Sequence, residues 1–552
     1  MTRKISIKCN SRGSEIDDPV ATEGYGFGNW TGIFRCGHMI SFTKVFGIFL
    51  FLISIASGGA ATAQDAPATA TERFAGETQL GSQSPLPVHI ELHRSGDVLT
   101  GTISIPGASF ELGDMQGADP ITGRFRGEAG NGPMTLHLDG DVLTGLFDLG
   151  GQPGKFTARR TLQDAATFFK PPEQHLDLTT AQWLEDLDRL VAILTREHAS
   201  PFHRISREEF DREVVRVRAS IPNLDGVAVA LEFRKLGALI GDGHTSVELP
   251  PRPRLPIEFY WFDDGLRVVS VPAVNRGLLG AELIAMNEMT ASDVAERLRA
   301  YIPQGETQWF YRAGVPNLLN DPDILSAIGI GAGQPVVFTF QMADGARKRL
   351  KLAAAAEAGD RATLGDGAPL WRQNETKGFW SEGLADGSVY VNWRSYDGLA
   401  DQGAALLQSL DLNHPRRLII DLRDNSGGDY TVGRSFIDGI KSRAWLNRRG
   451  VLYVMIGRKT FSAAMTNAVD FKQTTEAILV GEPAGAAPNN WQEVRRFNLP
   501  NSALRVGVST RYYEFLPGKP EVLPDRQISP EPSDWGSPED ASIRFVLAQP
   551  VP

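Results

Sequence analysis

The feature that most constrains the fold is a regular alternation of apolar runs and helical segments in the C-terminal part of the chain. The apolar runs lie at 389–393, 417–422, 451–456 and 477–480. Runs of this kind predict strands that are buried on both faces, and the segments between them predict parallel neighbours. We therefore expect an α/β layered domain over 376–548, with its chemistry at the strand ends.

Two turns in this domain carry residues suited to acyl transfer. The strand that ends at Asp421 leads into Gly427 and Gly428, whose backbone N–H groups can face an anion. The next strand leads into Ser462 at the start of a helix, where the hydroxyl would be exposed and flanked by the Ala463 N–H. Serine at this position also often serves only as a helix N-cap, so spacing alone leaves both roles open.

The segment 176–250 has helical periodicity and predicts a small helical subdomain. Its helices begin at two capping boxes, which are formed by Thr179 with Gln182 and by Ser206 with Glu209. Its last helix breaks at 241–245, which reads Gly-Asp-Gly-His-Thr. This loop would present His244.

The segment 251–355 mixes short strands with one helix and predicts an α+β domain. A strand at 280–287 followed by that helix looks like part of a PDZ domain. A generic α+β insert is the alternative, because a loop that would bind a peptide carboxylate is not obvious.

Short alternating runs separated by glycines predict an accessory β domain over 73–162. The sequence Asp-Val-Leu-Thr-Gly occurs at 97–101 and again at 141–145. This repeat suggests two similar meanders in one small sheet or barrel. His89 and His93 share a strand face, but the pattern places no third ligand beside them, so we interpret them as surface histidines rather than a metal site.

The N-terminal region has the pattern of an export signal. An apolar run at 45–56 follows Lys44 and precedes Ala-Thr-Ala at 61–63, which matches the three parts of a signal peptide. The run is too short to span a bilayer, which takes about 20 apolar residues. We expect residues 1–63 to be a leader, with Met39 as the true start. The mature protein would be periplasmic or extracellular, with no stable membrane anchor.

Cysteine content and net charge exclude several classes of function. Cys9 and Cys36 both lie in the expected leader, which leaves no thiol for a disulfide, a nucleophile or a zinc ribbon. The chain has 66 acidic and 56 basic side chains, a net charge of −10, and we find no basic stripe of the kind that binds phosphates. We therefore expect no nucleic-acid partner, no metal and no organic cofactor.

Five separated motifs resemble those of the S41 peptidases, the family of the C-terminal processing proteases and the tricorn core protease. They occur in the family's order at 236–245, 418–428, 460–464, 479–483 and 523–525. The resemblance covers roughly 178–547 and leaves out the β domain. It implies a crotonase-like ββα catalytic domain, a helical cap, a PDZ-like domain and cleavage of peptide bonds through a serine acyl-enzyme.

The resemblance assigns Ser462 as the nucleophile, with the N–H groups of Ala463 and of Gly427 or Gly428 as oxyanion donors. Asp421 would hold the glycine loop rather than take part in the chemistry.

Processing proteases of this family use a lysine about 25 residues after the serine, but the stretch 484–491 contains none. Lys472 lies nearly three helical turns from Ser462 and is interpreted as a solvated residue, because an α-helix has about 3.6 residues per turn. Lys459, in the same turn as Ser462, remains an alternative base.

The tricorn-like branch of the family uses a histidine of the cap, and its motif position matches His244. A neutral imidazole suits this role near pH 7. In tricorn a serine before the histidine connects it to a glutamate, whereas this chain has Gly243 there. Glu514 or Glu521 would then be the acid partner. Glu514 is favoured because it lies in the strand-like run 510–515 rather than in the Pro-rich turn, and Thr245 could orient the ring.

These observations together predict an exported serine peptidase that acts on a peptide or protein substrate. Two alternatives stay open: an inactive S41-like scaffold that binds peptides, and a serine hydrolase of non-peptide esters or amides. The oligomeric state is not predicted.

Overall fold

The structure, a computed structural model, describes residues 70–552 apart from 82–85, 96–97, 107, 128–129, 332–333, 356–358 and 366. The expected leader, with Met39 and both cysteines, lies outside the described residues. Within the part that is described, no helix is both long and apolar enough to cross a membrane.

The first eight strands form a closed antiparallel barrel in which β1 pairs with β8. They are β1 (Ala70–Leu80), β2 (Leu86–Ser95), β3 (Val98–Ile105), β4 (Ala108–Gln116), β5 (Ile121–Gly127), β6 (Gly130–Asp139), β7 (Val142–Leu149) and β8 (Gln152–Arg160). Alternate apolar side chains from all eight strands fill the interior with one buried cluster. The predicted β domain is therefore a barrel, and the sequence repeat leads into β3 and β7, four strands apart.

Both histidines of β2 make ordinary hydrogen bonds on the outside of this barrel. His89 is buried beside Phe168, and its Nε2 contacts the Gln163 carbonyl oxygen at 2.8 Å. His93 Nδ1 contacts the Thr71 hydroxyl at 3.0 Å. His89 is thus covered by the segment that follows the barrel and is not the surface residue that we expected.

A short helix and three longer helices follow the barrel and lead into a short strand. They are α1 (Ala165–Phe168), α2 (Thr180–Arg196), α3 (Arg207–Ser220), α4 (Gly226–Ile240) and β9 (Ser246–Glu248). Both predicted capping boxes are formed, at the starts of α2 and α3. Each satisfies backbone N–H groups that would otherwise lack a partner at a helix start.

The middle of the chain forms a seven-stranded sheet with three helices. Its elements are β10 (Glu258–Phe262), β11 (Gly265–Pro272), β12 (Glu282–Met286), β13 (Met289–Thr290), α5 (Ala291–Leu298), α6 (Gln308–Leu318), α7 (Pro322–Ala327), β14 (Val336–Gln341), β15 (Arg347–Leu352) and β16 (Arg361–Thr363). The main path runs β10-β11-β12-β14-β15, which leaves β15 at one edge.

The C-terminal part contains the predicted α/β layers. Its elements are β17 (Phe379–Gly383), β18 (Val389–Trp393), α8 (Leu399–Asn413), β19 (Leu418–Asp421), α9 (Tyr430–Lys441), β20 (Leu452–Ile456), α10 (Ala463–Thr474), β21 (Ile478–Gly481), β22 (Asn489–Asn498), β23 (Arg505–Glu514), β24 (Arg526–Gln527) and α11 (Ala541–Ala548). Strands β18, β19, β20, β21 and β24 pair in parallel, and β17 is antiparallel to β18.

Apolar clusters cover both faces of this six-stranded sheet, as fully buried parallel strands require. Helices α8, α9 and α10 contribute to one cluster and α11 to the other. A separate three-stranded sheet, β22-β23-β9, connects the C-terminal part to β9, the strand that follows helix α4. This three-stranded sheet determines where the loop before β9 lies.

Candidate active site

Ser462 lies in a strained turn between a buried strand and a helix. All five residues of β20 are buried, and α10 begins directly after Ser462. The Ser462 backbone has φ 52° and ψ −127°, and its side chain makes no capping hydrogen bond to α10. A non-glycine residue at positive φ costs free energy, and such residues concentrate at functional sites. The hydroxyl is therefore not engaged as an N-cap.

Thr460 and Asn425 fix the shape of this turn. The Thr460 hydroxyl donates to the Leu422 carbonyl at 2.8 Å and accepts the Gly457 N–H at 3.0 Å. The backbone carbonyl of Asn425 accepts the Phe461 N–H at 3.1 Å. Both side chains are fully buried, so these bonds are shielded from competing water.

The glycine loop packs directly against Ser462. Gly427 has φ 115°, and a Cβ at this position would lie 2.6 Å from the Ser462 Cβ and 3.1 Å from the Ala463 nitrogen. The Gly427 N–H donates to Asn425 Oδ1 at 2.9 Å, whereas the N–H groups of Gly428 and Ala463 donate to no described residue. Of the two glycines, Gly428 is therefore the one whose backbone N–H is not already donated within the loop.

Asn425 and Asp421 hold the glycine loop at two different points. Asn425 Nδ2 donates to the Trp393 carbonyl at 2.9 Å, so its amide connects the loop to the end of β18. The Asp421 carboxylate pairs with Arg423 and accepts the Tyr390 hydroxyl at 2.9 Å. Asp421 Oδ1 also accepts the Arg423 backbone N–H at 3.0 Å, so this carboxylate holds the first residues of the loop, while Asn425 holds the part next to Gly427.

The structure brings His244 to Ser462, with His244 Nε2 2.9 Å from Ser462 Oγ. Helix α4 ends at Ile240, its C-cap Gly241 has the left-handed conformation with φ 95°, and the chain then turns towards α10. Two residues after His244, β9 pairs with β23, with Ser246 opposite Gly507. The imidazole is 3% exposed and lies against the Phe461 ring, with the ring centroids 4.7 Å apart.

Asp242 organises the loop that carries this histidine. Its Oδ1 accepts the N–H groups of His244 and Thr245, both at 2.9 Å, and the Ser509 hydroxyl at 2.7 Å. Its Oδ2 lies 2.8 Å from His198 Nε2. His198 Nδ1 accepts the Ser200 N–H, so Nε2 carries the proton and donates it to Asp242. Burial raises the pKa of Asp242, but these hydrogen bonds outweigh burial and lower it overall.

The surroundings of His244 favour a neutral imidazole. Burial lowers its pKa to about 4, while the Asp242 charge and a hydrogen bond to the Trp491 backbone raise it and Arg496 lowers it further. A neutral ring with Nε2 facing a hydroxyl can accept the proton of that hydroxyl.

Gly243 is held by a carboxyl group from the middle of the chain. Glu306 Oε1 accepts the Gly243 N–H at 3.0 Å, and its Oε2 accepts the Ala487 N–H at 2.8 Å. Burial raises the pKa of Glu306 to about 7. A side chain at Gly243 would meet the Phe461 ring at 2.7 Å and the Glu306 Cγ at 3.1 Å. Glycine at this position leaves room for Glu306.

The other predicted candidates have other partners or face solvent. Lys459 pairs with Asp424, with Nζ to Oδ1 3.0 Å, and Lys472 contacts the Leu523 carbonyl at 2.8 Å. Glu514 is exposed at the end of β23 and makes no hydrogen bond to His244, because the strand turns this side chain to solvent. Glu521 lies beyond β23 and likewise makes none in the described part of the chain.

The Thr245 hydroxyl accepts the Ser509 N–H at 3.3 Å, so it fastens the loop to β23. The structure therefore gives Thr245 a part in positioning the His244 loop and shows no hydrogen bond between this hydroxyl and the ring.

Sequence reasoning missed Asn425, Asp242, His198 and Glu306. The sequence does contain a local indication for Asn425 and Asp242, because an Asn or Asp side chain in a turn commonly accepts the backbone N–H of the residue two positions later. Glu306 and His198 had none, because their partners are 63 and 44 residues away in the chain. The described residues contain no group of three or more His, Cys, Asp or Glu side chains that could hold a metal ion.

Comparison with known proteins gives structural neighbours only. No family model matches the chain, and no curated protein matches it. Mature CPAF is 12% identical, with a TM-score of 0.47, and the match covers 66% of this chain and 96% of that chain. The photosystem II D1 C-terminal processing protease is 14% identical, with a TM-score of 0.33 and coverage of 65% and 98%.

The tricorn protease is 13% identical, with a TM-score of 0.34, and the match covers 87% of this chain and 55% of that chain. A putative S41 protease from Bacteroides fragilis is 12% identical, with a TM-score of 0.29, and the match covers 55% of this chain and 85% of that chain.

Proposed function

We propose that this protein is a serine peptidase in which Ser462 is the nucleophile and His244 is the general base. The observation that carries the proposal is the 2.9 Å contact between His244 Nε2 and the hydroxyl of a serine held at φ 52°. The strained turn exposes the hydroxyl and leaves it without a capping role. The buried, neutral imidazole is the group that can accept its proton.

The reaction would follow from this geometry. His244 Nε2 takes the hydroxyl proton as Ser462 Oγ bonds to the substrate carbonyl carbon, and the N–H groups of Ala463 and Gly428 stabilise the oxyanion. The imidazolium returns the proton to the leaving amine as the peptide bond breaks. Water then attacks the acyl-enzyme, with the same imidazole as its base, and Ser462 is released. No step requires a metal or a cofactor.

The acid that stabilises the imidazolium would be Asp242 rather than Glu514. Asp242 raises the pKa of His244 through its charge, and it is 2% exposed, so its field is weakly screened. It acts through the loop backbone instead of through a direct bond to the ring. In this role Asp242 is a positioning residue.

The remaining domain predictions fit this function. A crotonase-like catalytic domain at 376–548, a helical cap at 176–250 and a PDZ-like domain at 251–355 would together form the peptidase, with the β domain at 73–162 as an accessory. Export through a signal peptide at 1–63 would place it in the periplasm or outside the cell.

The test is covalent labelling of the purified full chain by a fluorophosphonate probe. We expect the wild type to be labelled and both Ser462→Ala and His244→Ala to lose at least about a thousandfold in labelling rate. Ser435→Ala is the matched control, because Ser435 is an exposed serine of α9, and it should label normally. Labelling that survives Ser462→Ala would remove Ser462 as the nucleophile.

Two substrates separate the proposal from its alternatives. An unstructured protein such as casein should be cleaved by the wild type and not by Ser462→Ala. Hydrolysis of a small activated ester without any cleavage of protein would favour a non-peptide hydrolase. An absence of labelling and of both activities in a folded protein would favour a peptide-binding scaffold without catalysis.

A further inference from the structure

One strand of the seven-stranded sheet differs in charge from the rest of this acidic protein. Strand β15 reads Arg-Lys-Arg-Leu-Lys-Leu, and the whole β14–β15 hairpin, 336–352, carries four basic residues and one acidic residue, a net charge of 4 − 1 = +3. The chain as a whole carries −10. The absence of a basic stripe, expected from the sequence, therefore does not hold at this short hairpin.

The strand is at the edge of its sheet. β15 pairs with β14 along its full length, from Arg347 opposite Gln341 to Leu352 opposite Val336. No strand among the described residues pairs with its other side. Backbone N–H and C=O groups along that side are therefore available to a further strand.

The cations are arranged on the solvent face of this edge. Leu350 and Leu352 pack towards the core of the sheet, so the alternate residues Arg347, Arg349 and Lys351 lie on the opposite face, and all three are exposed. Successive cations on that face are about 6.6 Å apart along the strand. No described carboxylate lies within ion-pair distance of any of them.

From this arrangement we infer that β15 binds an extended acidic segment of a protein partner, which adds to the sheet as a further strand. An added strand with Asp or Glu at alternate positions places its carboxylates opposite the three cations, and each opposite-charge pair across strands is stabilising. The backbone groups of the free edge supply the hydrogen bonds. The surface goes beyond the proposed peptidase activity and does not depend on it.

Charge excludes the other obvious occupants. A second copy of β15 would place arginine and lysine opposite arginine and lysine, which is destabilising. Nucleic acid is disfavoured as a partner because β15 carries only four basic residues, within a chain of net charge −10. Basic residues on an edge strand can also serve only to prevent self-association. Binding measurements distinguish this role from partner recognition, because only a binding site discriminates between acidic and neutral peptides.

The experiment is fluorescence anisotropy of labelled peptides titrated with the full chain carrying Ser462→Ala, so that no peptide is cleaved and a failure of the proposed catalysis does not affect the result. The acidic peptide alternates Glu with Thr, and the neutral peptide has Gln in place of Glu. We expect the acidic peptide to bind at least about tenfold more tightly, with affinity that falls as salt is added.

Charge reversal locates the site. Arg347→Glu with Arg349→Glu and Lys351→Glu should weaken binding of the acidic peptide at least about tenfold. Lys441→Glu with Arg448→Glu and Arg449→Glu changes the net charge equally at exposed positions of the C-terminal part and should leave binding within about twofold. If the first triple variant does not fold, Arg349→Gln should still weaken binding roughly threefold.

Several results would overturn the inference. Equal loss in both triple variants would show general electrostatics, and equal affinity for the Gln peptide would show that charge is not recognised. A peptide N-methylated at alternate residues should bind much more weakly, and full retention of its affinity would exclude strand addition. Short single-stranded DNA that binds as tightly and loses affinity in the β15 variant would identify the surface as a nucleic-acid site.

Discussion

A single buried carboxylate, that of Asp242, accepts hydrogen bonds from two backbone N–H groups, one hydroxyl and one imidazole. Asp242→Asn keeps an oxygen for the first three groups but places an NH2 group against the N–H of His198. We expect kcat to fall about 10- to 100-fold with little change in KM, because the loop that carries His244 would shift.

The pH profile of this variant gives a second readout. The Asp242 charge raises the pKa of His244, so its loss should move the acidic limb of activity to lower pH. Ser509→Ala is the matched control, since it removes one hydrogen bond to the same oxygen and keeps the charge. It should cost less activity and leave the limb in place. If Asp242→Asn loses activity but the acidic limb of its pH profile does not move, the Asp242 charge does not raise the pKa of His244.

The burial of His244 gives a prediction for the wild type as well. A base must be neutral to accept a proton, so activity is lost as pH falls through the pKa of the histidine. Because burial lowers this pKa to about 4, we expect labelling of Ser462 to persist at about pH 5, where a histidine with an ordinary pKa of about 6.5 is mostly protonated. Labelling rates measured across pH, with circular dichroism to monitor folding, check this. A midpoint far above 7 would instead indicate a lysine base.

Among secondary-structure elements, the turns that lead into α9 and α10 depend on the close contact between Gly427 and Ser462. Gly427→Ala would place a methyl group 2.6 Å from the Ser462 Cβ at a residue with φ 115°. We expect a loss of about 1–3 kcal/mol in the free energy of unfolding and a labelling rate reduced at least about 100-fold. Urea denaturation and labelling measure the two effects.

Gly383→Ala in β17 is the control for that substitution, because no atom lies within 4 Å of the added Cβ and the residue has no positive φ. It should change stability by less than about 1 kcal/mol. Normal labelling of Gly427→Ala would mean that the glycine loop shifts to accommodate the methyl group and does not fix the position of Ser462.

Local sequence predicted these elements well where the determinants were local. The capping boxes at Thr179 and Ser206 mark the starts of α2 and α3, and the apolar runs mark β18 to β21. The pairing of β9 with β23 could not be predicted, because three residues of β9 have no pattern that selects a partner some 260 residues away. That pairing fixes where the His244 loop lies.

In the whole molecule, a buried ion pair joins the seven-stranded sheet to the six-stranded sheet. Arg458 and Glu482 are both nearly inaccessible, and the Tyr260 hydroxyl donates to Glu482 at 3.0 Å while Arg458 donates to the Trp261 carbonyl at 2.7 Å. Arg458→Met leaves the Glu482 charge buried without its partner. We expect this to lower the free energy of unfolding by about 3–5 kcal/mol in urea denaturation.

Removing both charges tests the cause of that loss. Arg458→Met combined with Glu482→Leu eliminates the unpaired charge and should recover most of the stability. A double variant as unstable as Arg458→Met would show that the hydrogen bonds to Tyr260 and Trp261, and not the buried charge, hold the two sheets together.

The sequence by itself determined which residue types can do chemistry and which segments are helices, strands and turns, since periodicity, capping and turn chemistry act over a few residues. It placed Ser462 at a helix start and His244 in a loop. Only the tertiary structure decided that these two residues, 218 positions apart, meet at 2.9 Å, that Asp242 rather than Glu514 lies nearby, and that Glu306 holds Gly243. The physical reason is that buried polar groups choose partners by position in space, and chain topology alone brings distant partners together.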